Sequence, residues 1–330
     1  MKTILITGVN GFIGSHVAER LRKEGHKVRG LVRKTSDLSL IEGLDIQLFY
    51  GDITAPETLR QPLEGVDIVV HVAGLASDWG PYERFRRINV QGTQNIARAA
   101  AEVGVRRFVH ISTVALHGFG HKQAVDEDFP MADTIFPYNE SKKEAEKWLF
   151  EFAEQTAMEV TAVRPGNVYG PRDHTFIDKY LEALEQGKIA YIDGGRHKTC
   201  PVYIENLVEG ILLACFHERA KNEPFIITDG LDITWKQFTD ALADAMGLKR
   251  PKLSVPYGLV YALAWLMEMF YKLFLIQTPP LLTRYRIMNG GRDYYFSIEK
   301  ARRILGYEPR IPLEEAVKRT VQWYKQRNEK

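Results

Sequence analysis

The sequence predicts an α/β fold built on a doubly wound parallel sheet, and three observations support this prediction. An apolar run at residues 3–6 is followed by a glycine-rich turn and then by apolar residues at helical spacing. Apolar runs of strand length alternate with helical patterns through the first half of the chain. The chain has 330 residues, 45% of them hydrophobic, which is enough for a large core. Such alternation is typical of parallel sheets that are covered by helices on both faces.

The predicted elements divide the chain into two parts. Strands are predicted at residues 3–6, 27–32, 46–50, 67–73, 107–111 and 160–164, and helices at 15–21, 82–103 and 138–156. Beyond residue 170, helices near 173–187, 205–217 and 234–246 are interspersed with short strands such as 225–228. We therefore expect a first domain at 1–170 and a smaller mixed α/β lobe at 171–330, with the chain free to cross back between them. Substrate specificity is expected in the lobe.

The glycine-rich turn at residues 7–14 predicts a dinucleotide site. Gly8 would make the tight turn, Gly11 would allow close approach of phosphates, and Gly14 would let the helix pack on the sheet. Backbone N–H groups at the positive end of the helix would then face a pyrophosphate. An ordinary glycine turn is the alternative, but the strand before and the helix after favour the dinucleotide.

A second pattern predicts acid–base chemistry. Tyr138 and Lys142 are four residues apart on a predicted helix and therefore share one face. A lysine ammonium there would lower the pKa of the phenol from about 10 toward neutrality. Thr113, just after the strand at 107–111, is positioned to orient a substrate carbonyl or alcohol, with Ser112 as the alternative.

Composition makes several other classes of function improbable. The net charge of +2 gives no reason to expect a nucleic-acid partner, and the basic runs 84–87 and 300–303 are interpreted as solvated helix faces. Cys200 and Cys215 lack metal or redox spacing, which favours a reduced, cytoplasmic setting. No metal site is predicted, because glycines interrupt the segment between His117 and His121.

These motifs together resemble the extended short-chain dehydrogenases/reductases. The matching segments are 7–14, 51–52, 71–74, 89–93, 112–113, 138–142 and 164–171, and a weaker likeness at 302–309 extends nearly to the end of the chain. The resemblance implies a Rossmann-type fold in which Tyr138 exchanges a proton, Lys142 tunes it and Thr113 orients the substrate. It also implies that Asp52 contacts the adenine, that residues 164–169 pass the nicotinamide, and that Asn89 lies behind the site. Ordinary turn and helix-start roles remain the alternative for Asp52 and Asn89.

The expected cofactor site follows from the glycine turn, the strand ends and this resemblance. Its predicted residues are Gly8, Asn10, Gly11, Phe12, Ile13, Gly14, Arg33, Ser36, Asp52, Ile53, Ala73, Gly74, Asn89, Ser112, Tyr138, Lys142, Pro165, Asn167 and Val168. No acid stands at the tip of the second strand, where Arg33 offers a planar fork suited to a 2′-phosphate and Ser36 a further donor. NADP(H) is therefore expected to be preferred, with NAD(H) as the alternative.

The segment at residues 256–276 is the main indication of the substrate. It is apolar almost throughout, with only Glu268 and Lys272 charged, and these two are four residues apart and could form an ion pair. Three interpretations compete: a buried helix of the lobe, a helix that lines an apolar substrate entrance and rests on a membrane surface, and an oligomer interface. The segment is similar to the 3β-hydroxysteroid dehydrogenase branch of the family.

The leading hypothesis is an NAD(P)-dependent oxidoreductase that interconverts a secondary alcohol and a ketone on a largely apolar molecule. The first alternative is a nucleotide-sugar 4-epimerase, which would use the same three residues; the second is a catalytically idle cofactor-sensing protein. In the resembled family, sugar 4,6-dehydratases carry Asp and Glu directly after this threonine for the elimination step. This chain has Val114 and Ala115 there, so by the same resemblance elimination lacks its acid and base. Dimers that pack through two long helices are common in the resembled family, and the helices at 82–103 and 138–156 would serve here.

Overall fold

The computed structural model describes residues 1–328, and a parallel sheet forms its centre. The strands in chain order are β1 (Thr3–Thr7), β2 (Lys27–Val32), β3 (Gln47–Tyr50), β4 (Ile68–His71), β5 (Arg107–Ile111), β6 (Glu159–Pro165), β7 (Asn167–Tyr169), β8 (Tyr191–Ile192), β9 (Lys198–Thr199), β10 (Pro201–Tyr203), β11 (Glu223–Ile227), β12 (Ile233–Thr234) and β13 (Ser254–Val255). Seven of them form one sheet in the order β11-β6-β5-β4-β1-β2-β3, and every neighbouring pair is parallel. This arrangement confirms the predicted doubly wound fold. The strand order reverses between β4 and β1, the kind of position at which ligands bind in such sheets.

Helices cover both faces of the sheet and build the second half of the chain. They are α1 (Phe12–Lys23), α2 (Arg60–Leu63), α3 (Tyr82–Phe85), α4 (Gly92–Glu102), α5 (Pro137–Ala153), α6 (Ile177–Glu185), α7 (Ile204–Phe216), α8 (Trp235–Met246), α9 (Tyr257–Leu273), α10 (Arg284–Gly291), α11 (Glu299–Leu305) and α12 (Leu313–Asn328). The remaining strands form three two-stranded pairs, β7 with β10, β9 with β12 and β8 with β13. Strand β11 comes from the second half but pairs with β6, so the chain crosses back into the main sheet.

The alternation of side chains along each strand divides the core into two layers. In β1, Ile4 and Ile6 join one apolar cluster, whereas Leu5 between them joins the other. All three are fully buried. Because successive residues point to opposite faces, a strand covered on both sides must be apolar throughout, and β1 has this composition.

The helix predicted at residues 82–103 is interrupted. A π-helical turn, Arg86–Gln91, separates α3 from α4 and adds one residue to the helical repeat. The Thr93 hydroxyl donates to the Asn89 carbonyl at 2.6 Å, which satisfies an oxygen at this turn. The sequence pattern at residues 82–103 was interpreted as one continuous helix and did not reveal this interruption.

Helix α6 begins later than the predicted residue 173. The Asp173 carboxylate accepts hydrogen bonds from the backbone N–H groups of Thr175 and Ile177, at 2.9 and 3.0 Å. It therefore holds the preceding residues in a turn, and the helix begins at Ile177.

Helix α9 corrects the interpretation of residues 256–276 as a buried helix. Of its residues, only Ala264 and Glu268 are buried. Its large apolar side chains are between 45 and 77% exposed, namely Leu259, Leu263, Trp265, Leu266, Met269, Phe270 and Leu273. No helix within residues 1–328 combines the length and hydropathy that a membrane span requires.

The predicted ion pair between Glu268 and Lys272 is also wrong. The Glu268 carboxylate accepts from Nε and from the backbone N–H of Arg284, both at 2.7 Å. Glu268 lies on the inward arc of α9, next to the start of α10, whereas Lys272 is exposed. Glu268 therefore pairs with Arg284 of the next helix and not with Lys272 on its own helix.

Candidate functional site

The turn between β1 and α1 contains glycines at positions where a side chain would collide with neighbouring backbone atoms. Gly8 has a φ of +68°, and a Cβ there would lie 2.9 Å from the Ala73 backbone nitrogen. A Cβ on Gly14 would lie 2.2 Å from the Gly8 carbonyl oxygen. No side chain caps α1 at Gly11, so the N–H groups at Phe12, Ile13 and Gly14 are available to an anion. This turn fits a dinucleotide pyrophosphate.

A cavity of about 350 Å³ opens beside this turn, at the carboxyl ends of β1 to β4. Eight predicted cofactor residues line it: Gly8, Asn10, Arg33, Ser36, Asp52, Ile53, Ala73 and Gly74. Nine more residues line it that were not predicted: Thr7, Leu31, Val32, Gly51, Thr54, Leu75, Arg84, Arg87 and Ile88. Arg84 and Arg87, from the basic run that was interpreted as a solvated face, are exposed and also line this cavity. Their spacing with Ile88, which places all three on one side of a helix, was the signal that could have identified them.

Two hydrogen bonds shape the cavity at the tip of β2. The Ser36 hydroxyl accepts from the Arg33 backbone N–H at 3.1 Å, and Asn10 Nδ2 donates to the Asp37 carbonyl at 3.0 Å. The glycine turn and the β2 tip are therefore fastened to each other. At the end of β3, Asp52 Oδ1 accepts from the backbone and the hydroxyl of Thr54, both at 2.8 Å, so Asp52 is a turn residue that also lines the cavity.

Tyr138 and Lys142 lie in the first turns of α5, beside the end of β5. Lys142 Nζ donates to the Ile111 carbonyl at 2.6 Å, and a hydrogen bond joins Thr113 to Tyr138. A Cβ on Gly74 would lie 3.7 Å from Lys142 Nζ, so the inner end of the cavity reaches this group. The structure thus places Thr113 against Tyr138, and Lys142 next to Gly74 of the cavity lining.

The pKa values of the pair are set by burial. Burial raises the pKa of Tyr138 to about 12, although the Thr113 hydrogen bond acts in the opposite direction. Burial lowers the pKa of Lys142 to about 8, against the opposing effect of Glu146. The expected lowering of the Tyr138 pKa toward neutrality is therefore wrong, because burial raises this pKa by more than the Thr113 hydrogen bond lowers it. Tyr138 carries its proton throughout the physiological pH range.

Asn89 and Ser112 are buried behind this group. Asn89 Oδ1 accepts from the Leu75 N–H at 2.6 Å, and Asn89 Nδ2 donates to the Ser141 hydroxyl at 2.9 Å, so Asn89 joins the loop after β4 to α5. The Ser112 hydroxyl is buried, and within residues 1–328 it has no hydrogen-bond partner. An unpaired buried hydroxyl at this position fits a ligand that supplies the missing bond.

The remaining predicted residues lie at the end of β6. Pro165 is its last residue, and Asn167 and Val168 begin β7. Asn167 exchanges side-chain amide hydrogen bonds with Asn289 of α10, at 3.2 and 3.3 Å. Asn289 was not predicted, and its distance of more than a hundred positions along the chain left no local signal.

An aromatic wall, defined as Phe119, Phe136, Tyr285 and Tyr294, stands beside Tyr138. The Tyr285 ring lies 5.4 Å from Phe119 and 5.3 Å from Phe136, centroid to centroid, in edge-to-face contact, and Tyr294 lies 4.9 Å from Phe119. Burial, and then the neighbouring Tyr138 phenol, raise the pKa of Tyr285 above its ordinary value. The surroundings of Tyr138 on this side are therefore largely aromatic.

The loop at residues 75–81 connects this site to the exposed helix α9. Trp79 Nε1 donates to the Ile276 carbonyl at 3.1 Å, just after α9 ends. The Thr283 hydroxyl donates to Asp78 Oδ2 at 2.6 Å. Because Gly74 and Leu75 at the start of this segment line the cavity, the same segment contacts both the cavity and the end of α9. Within residues 1–328, no three His, Cys, Asp or Glu side chains converge as metal ligands.

Comparison with known proteins agrees with this geometry. Residues 4–228 match the profile of the NAD dependent epimerase/dehydratase family. A 4-hydroxy-2-methyl-3-oxo-4-farnesyl-3,4-dihydroquinoline-1-oxide ketoreductase from Stigmatella aurantiaca is 30% identical over 93% of this chain and 92% of its own. The decarboxylating sterol-4-alpha-carboxylate 3-dehydrogenase of Mus musculus is 30% identical over 97% of this chain and 90% of its own.

A solved structure shows the same fold. The UDP-glucose 4-epimerase of Thermotoga maritima superposes with a TM-score of 0.81 over 99% of both chains, at 24% identity. The glycine turn, the Thr113–Tyr138–Lys142 group and the matched profile lead to one conclusion. The chain belongs to the NAD-dependent epimerase/dehydratase family, and it is an enzyme of the extended short-chain dehydrogenase/reductase type.

Proposed function

We propose that this enzyme interconverts a secondary alcohol and a ketone on a largely apolar molecule. The observation that carries the proposal is the aromatic wall beside the Tyr138 hydroxyl, because rings fill the space where a sugar would need polar partners. Two relatives support the substrate class, since their names specify a farnesylated ketone and a sterol. A bound nicotinamide cofactor would supply or accept the hydride.

The residues of the chain perform the proton chemistry. In the reduction direction Tyr138, protonated at neutral pH, donates its hydroxyl proton to the ketone oxygen and becomes a phenolate. In the oxidation direction the Tyr138 phenolate is the base that takes the hydroxyl proton of the alcohol. The Thr113 hydroxyl hydrogen-bonds with Tyr138 and orients the same substrate oxygen. Lys142, fixed by the Ile111 carbonyl, places a positive charge behind the tyrosine at pH values below about 8 and stabilises the phenolate that proton transfer leaves.

The test combines a substrate panel with one variant. Wild-type protein is mixed with NADP⁺ or NAD⁺ and a panel of 3β-hydroxysteroids and long-chain β-hydroxy acids, and the absorbance of the reduced nicotinamide is followed. Tyr138→Phe should abolish turnover and leave cofactor affinity, measured by fluorescence quenching, nearly unchanged. Substantial residual turnover in the variant would contradict the assigned role. A wild type that binds cofactor but converts nothing would favour the cofactor-sensing alternative.

A nucleotide-sugar 4-epimerase is the second candidate. Asn167 favours it, because the resemblance aligns this residue with an asparagine that contacts sugar nucleotides. In this chain, however, Asn167 is already bonded to Asn289 and Thr199. NAD that remains bound through purification, together with conversion of a UDP-sugar detected by chromatography, would establish the epimerase instead.

We propose that NADP(H) is preferred over NAD(H). Arg33 and Ser36 line the cavity at the tip of β2, and the nearby Asp37 carboxylate accepts from the Ser39 N–H at 3.0 Å. The guanidinium fork suits a 2′-phosphate, whereas a carboxylate would suit a ribose hydroxyl. Arg33→Asp should shift the ratio of the dissociation constants toward NADH by at least tenfold. Equal affinity of the wild type for NADPH and NADH would contradict the preference.

We also propose that α9 rests on a membrane surface, with the protein otherwise on the cytoplasmic side. At 100° per residue, its exposed apolar side chains span an arc of about 160°. A helix that packs on one partner buries a narrower stripe of roughly 100°, whereas lipid can surround the wider arc. Lys272 is the one exposed charge of α9 and lies at the edge of that arc, and its sign suits anionic headgroups. Contact of the loop at 75–81 with Ile276 would bring an apolar substrate close to the site.

Sedimentation with liposomes tests the membrane contact. Wild-type protein should pellet with anionic vesicles and less with neutral ones, and a Leu266→Gln/Phe270→Gln double variant should stay in the supernatant. Ile135→Gln, which changes an equally exposed side chain elsewhere, is the matched control and should pellet like the wild type. Failure of the wild type to pellet with either vesicle would contradict the proposal.

We further propose a homodimer that packs through α4 and α5. Trp148 and Phe152 stack at 4.8 Å on the outer part of α5, and Arg98 of α4 lies 5.0 Å from the Trp148 ring. In the single chain the two rings are only partly buried and Arg98 is exposed. Light scattering after size exclusion should give twice the chain mass, and Trp148→Glu should give a single chain mass. A monomeric wild type would contradict this arrangement.

A further inference from the structure

Two arginines beside the dinucleotide cavity have no assigned role. Arg84 is in α3 and Arg87 is in the π-helical turn, and both line the cavity together with Arg33. Both side chains are exposed at the cavity rim. Among residues 1–328, no carboxylate lies within ion-pair distance of either guanidinium, so their charges are available to a ligand.

The intervening arginine behaves differently. Arg86 Nε lies 3.5 Å from Glu144 Oε1, so Arg86 faces the neighbouring helix α5 and is paired there. Of the three arginines in this run, Arg84 and Arg87 therefore face the cavity, and Arg86 faces α5. A merely solvated basic face would show no such division.

The segment that carries these arginines is held firmly on both sides. Phe85 is fully buried between them, and Asn89, two residues after Arg87, is bonded to the Leu75 backbone and to Ser141. Rotation of this segment would break those contacts. The orientation of Arg84 and Arg87 toward the cavity is therefore a property of the fold.

The charge balance of the cavity favours an anion. It is lined by three arginines and a single carboxylate, Asp52, of which one oxygen is already bonded to Thr54. Guanidinium groups bind phosphate through paired N–H donors, and these bonds are stronger when charged. A dinucleotide offers a pyrophosphate and, in NADP(H), a 2′-phosphate.

We infer that Arg84 and Arg87 bind phosphate groups of the dinucleotide and form a second cationic wall in addition to Arg33. The inference rests on the proposed use of this cavity for a nicotinamide dinucleotide, but it does not depend on which form is preferred. It assigns to α3 and the π-helical turn a direct part in cofactor affinity.

Equilibrium binding tests this assignment without any need for turnover. Dissociation constants for NADPH and NADH are measured by titration calorimetry for the wild type, Arg84→Gln, Arg87→Gln and the double variant. Arg86→Gln is the matched control, because it removes the same charge from the same segment on the other face. We expect the double variant to bind at least about tenfold more weakly, with a shallower salt dependence, and the control to change less than twofold.

The outcomes distinguish the inference from the proposed function. A loss confined to NADPH identifies the 2′-phosphate as the partner, and an equal loss for both cofactors identifies the pyrophosphate; either result supports the assignment. Unchanged affinity for both in the double variant would overturn it, as would an equal loss in Arg86→Gln. Arg33→Asp measured alongside tests the proposed preference separately. A wild type that binds neither cofactor would overturn both proposals.

Discussion

The buried ammonium of Lys142 should make the stability of this protein depend on pH in a way that one substitution reveals. Lys142 is 6% exposed, and burial lowers its pKa from an ordinary 10.5 to about 8. The difference between the two values corresponds to about 3 kcal/mol of unfavourable free energy when the group is charged in the folded protein. Lys142→Met removes this cost, so the variant should be the more stable protein at pH 7.

The sign of the pH dependence follows from the lowered pKa. Between about pH 8 and 10.5 the unfolded chain holds the Lys142 proton and the folded protein does not. The free energy of unfolding of the wild type, relative to Lys142→Met, should therefore rise by about 1.4 kcal/mol per pH unit in this window. The advantage of the variant should be largest below pH 8 and should shrink steadily above it.

Urea unfolding at pH 7, 8, 9 and 9.5 measures this difference, because effects common to both proteins cancel. Lys143→Met is the matched control. Burial alone would lower the pKa of Lys143, but the Asp133 and Glu140 carboxylates outweigh it and raise the pKa above its ordinary value. Its favourable contribution is lost only above pH 10.5, so it should show no rise in the tested window. A constant difference between wild type and Lys142→Met from pH 7 to 9.5 would refute the reasoning.

Three further predictions concern catalysis, the glycine turn and α9. Ketone reduction at saturating cofactor should fall as the pH rises through about 8, because Lys142 loses its charge there; a rate that stays constant to pH 9.5 would contradict this. Gly14→Ala should abolish cofactor binding in calorimetry and lower the free energy of unfolding by about 2 kcal/mol, because the added Cβ would lie 2.2 Å from the Gly8 carbonyl oxygen. Gly258→Ala is the control: the space around Gly258 is open, so both quantities should stay unchanged. Glu268→Gln should lower the free energy of unfolding by about 3 kcal/mol, because it leaves the half-buried Arg284 guanidinium without its negatively charged partner. A change below about 0.5 kcal/mol would show that solvent replaces the carboxylate.

Local patterns were sufficient to predict the sheet and half of the site. Strand β5 occupies the predicted residues 107–111, and the glycine turn and the Tyr138–Lys142 pair lie where their spacing indicated. These features depend on short stretches of chain whose periodicity and turn residues act locally. The same is true of the cavity residues at the ends of β1 to β4, since the carboxyl ends of parallel strands meet at one edge.

The rest depends on tertiary contacts that carry no local signal. Tyr285 meets Phe119 across more than 160 positions, and the direction of the Tyr138 pKa follows from the burial that this wall creates. Hydropathy identified the segment at 256–276 as apolar but could not tell a helix that packs inward from one that faces outward. Only the packing of Glu268 against Arg284 reveals which arc of α9 is turned to the protein.

The π-helical turn at Arg86–Gln91 determines how far α4 is rotated about the helix axis relative to α3, the two halves of one interrupted helix. One additional residue rotates everything beyond it by about 100°. Arg84 of the first half and Arg87 of the turn itself can therefore face the cavity while the second half buries Ile96 in the core. Deleting a single residue within this turn would restore an uninterrupted α-helix and put the two faces out of register. A change in helix length would thus alter the electrostatics of a cavity without replacing any of its charged residues.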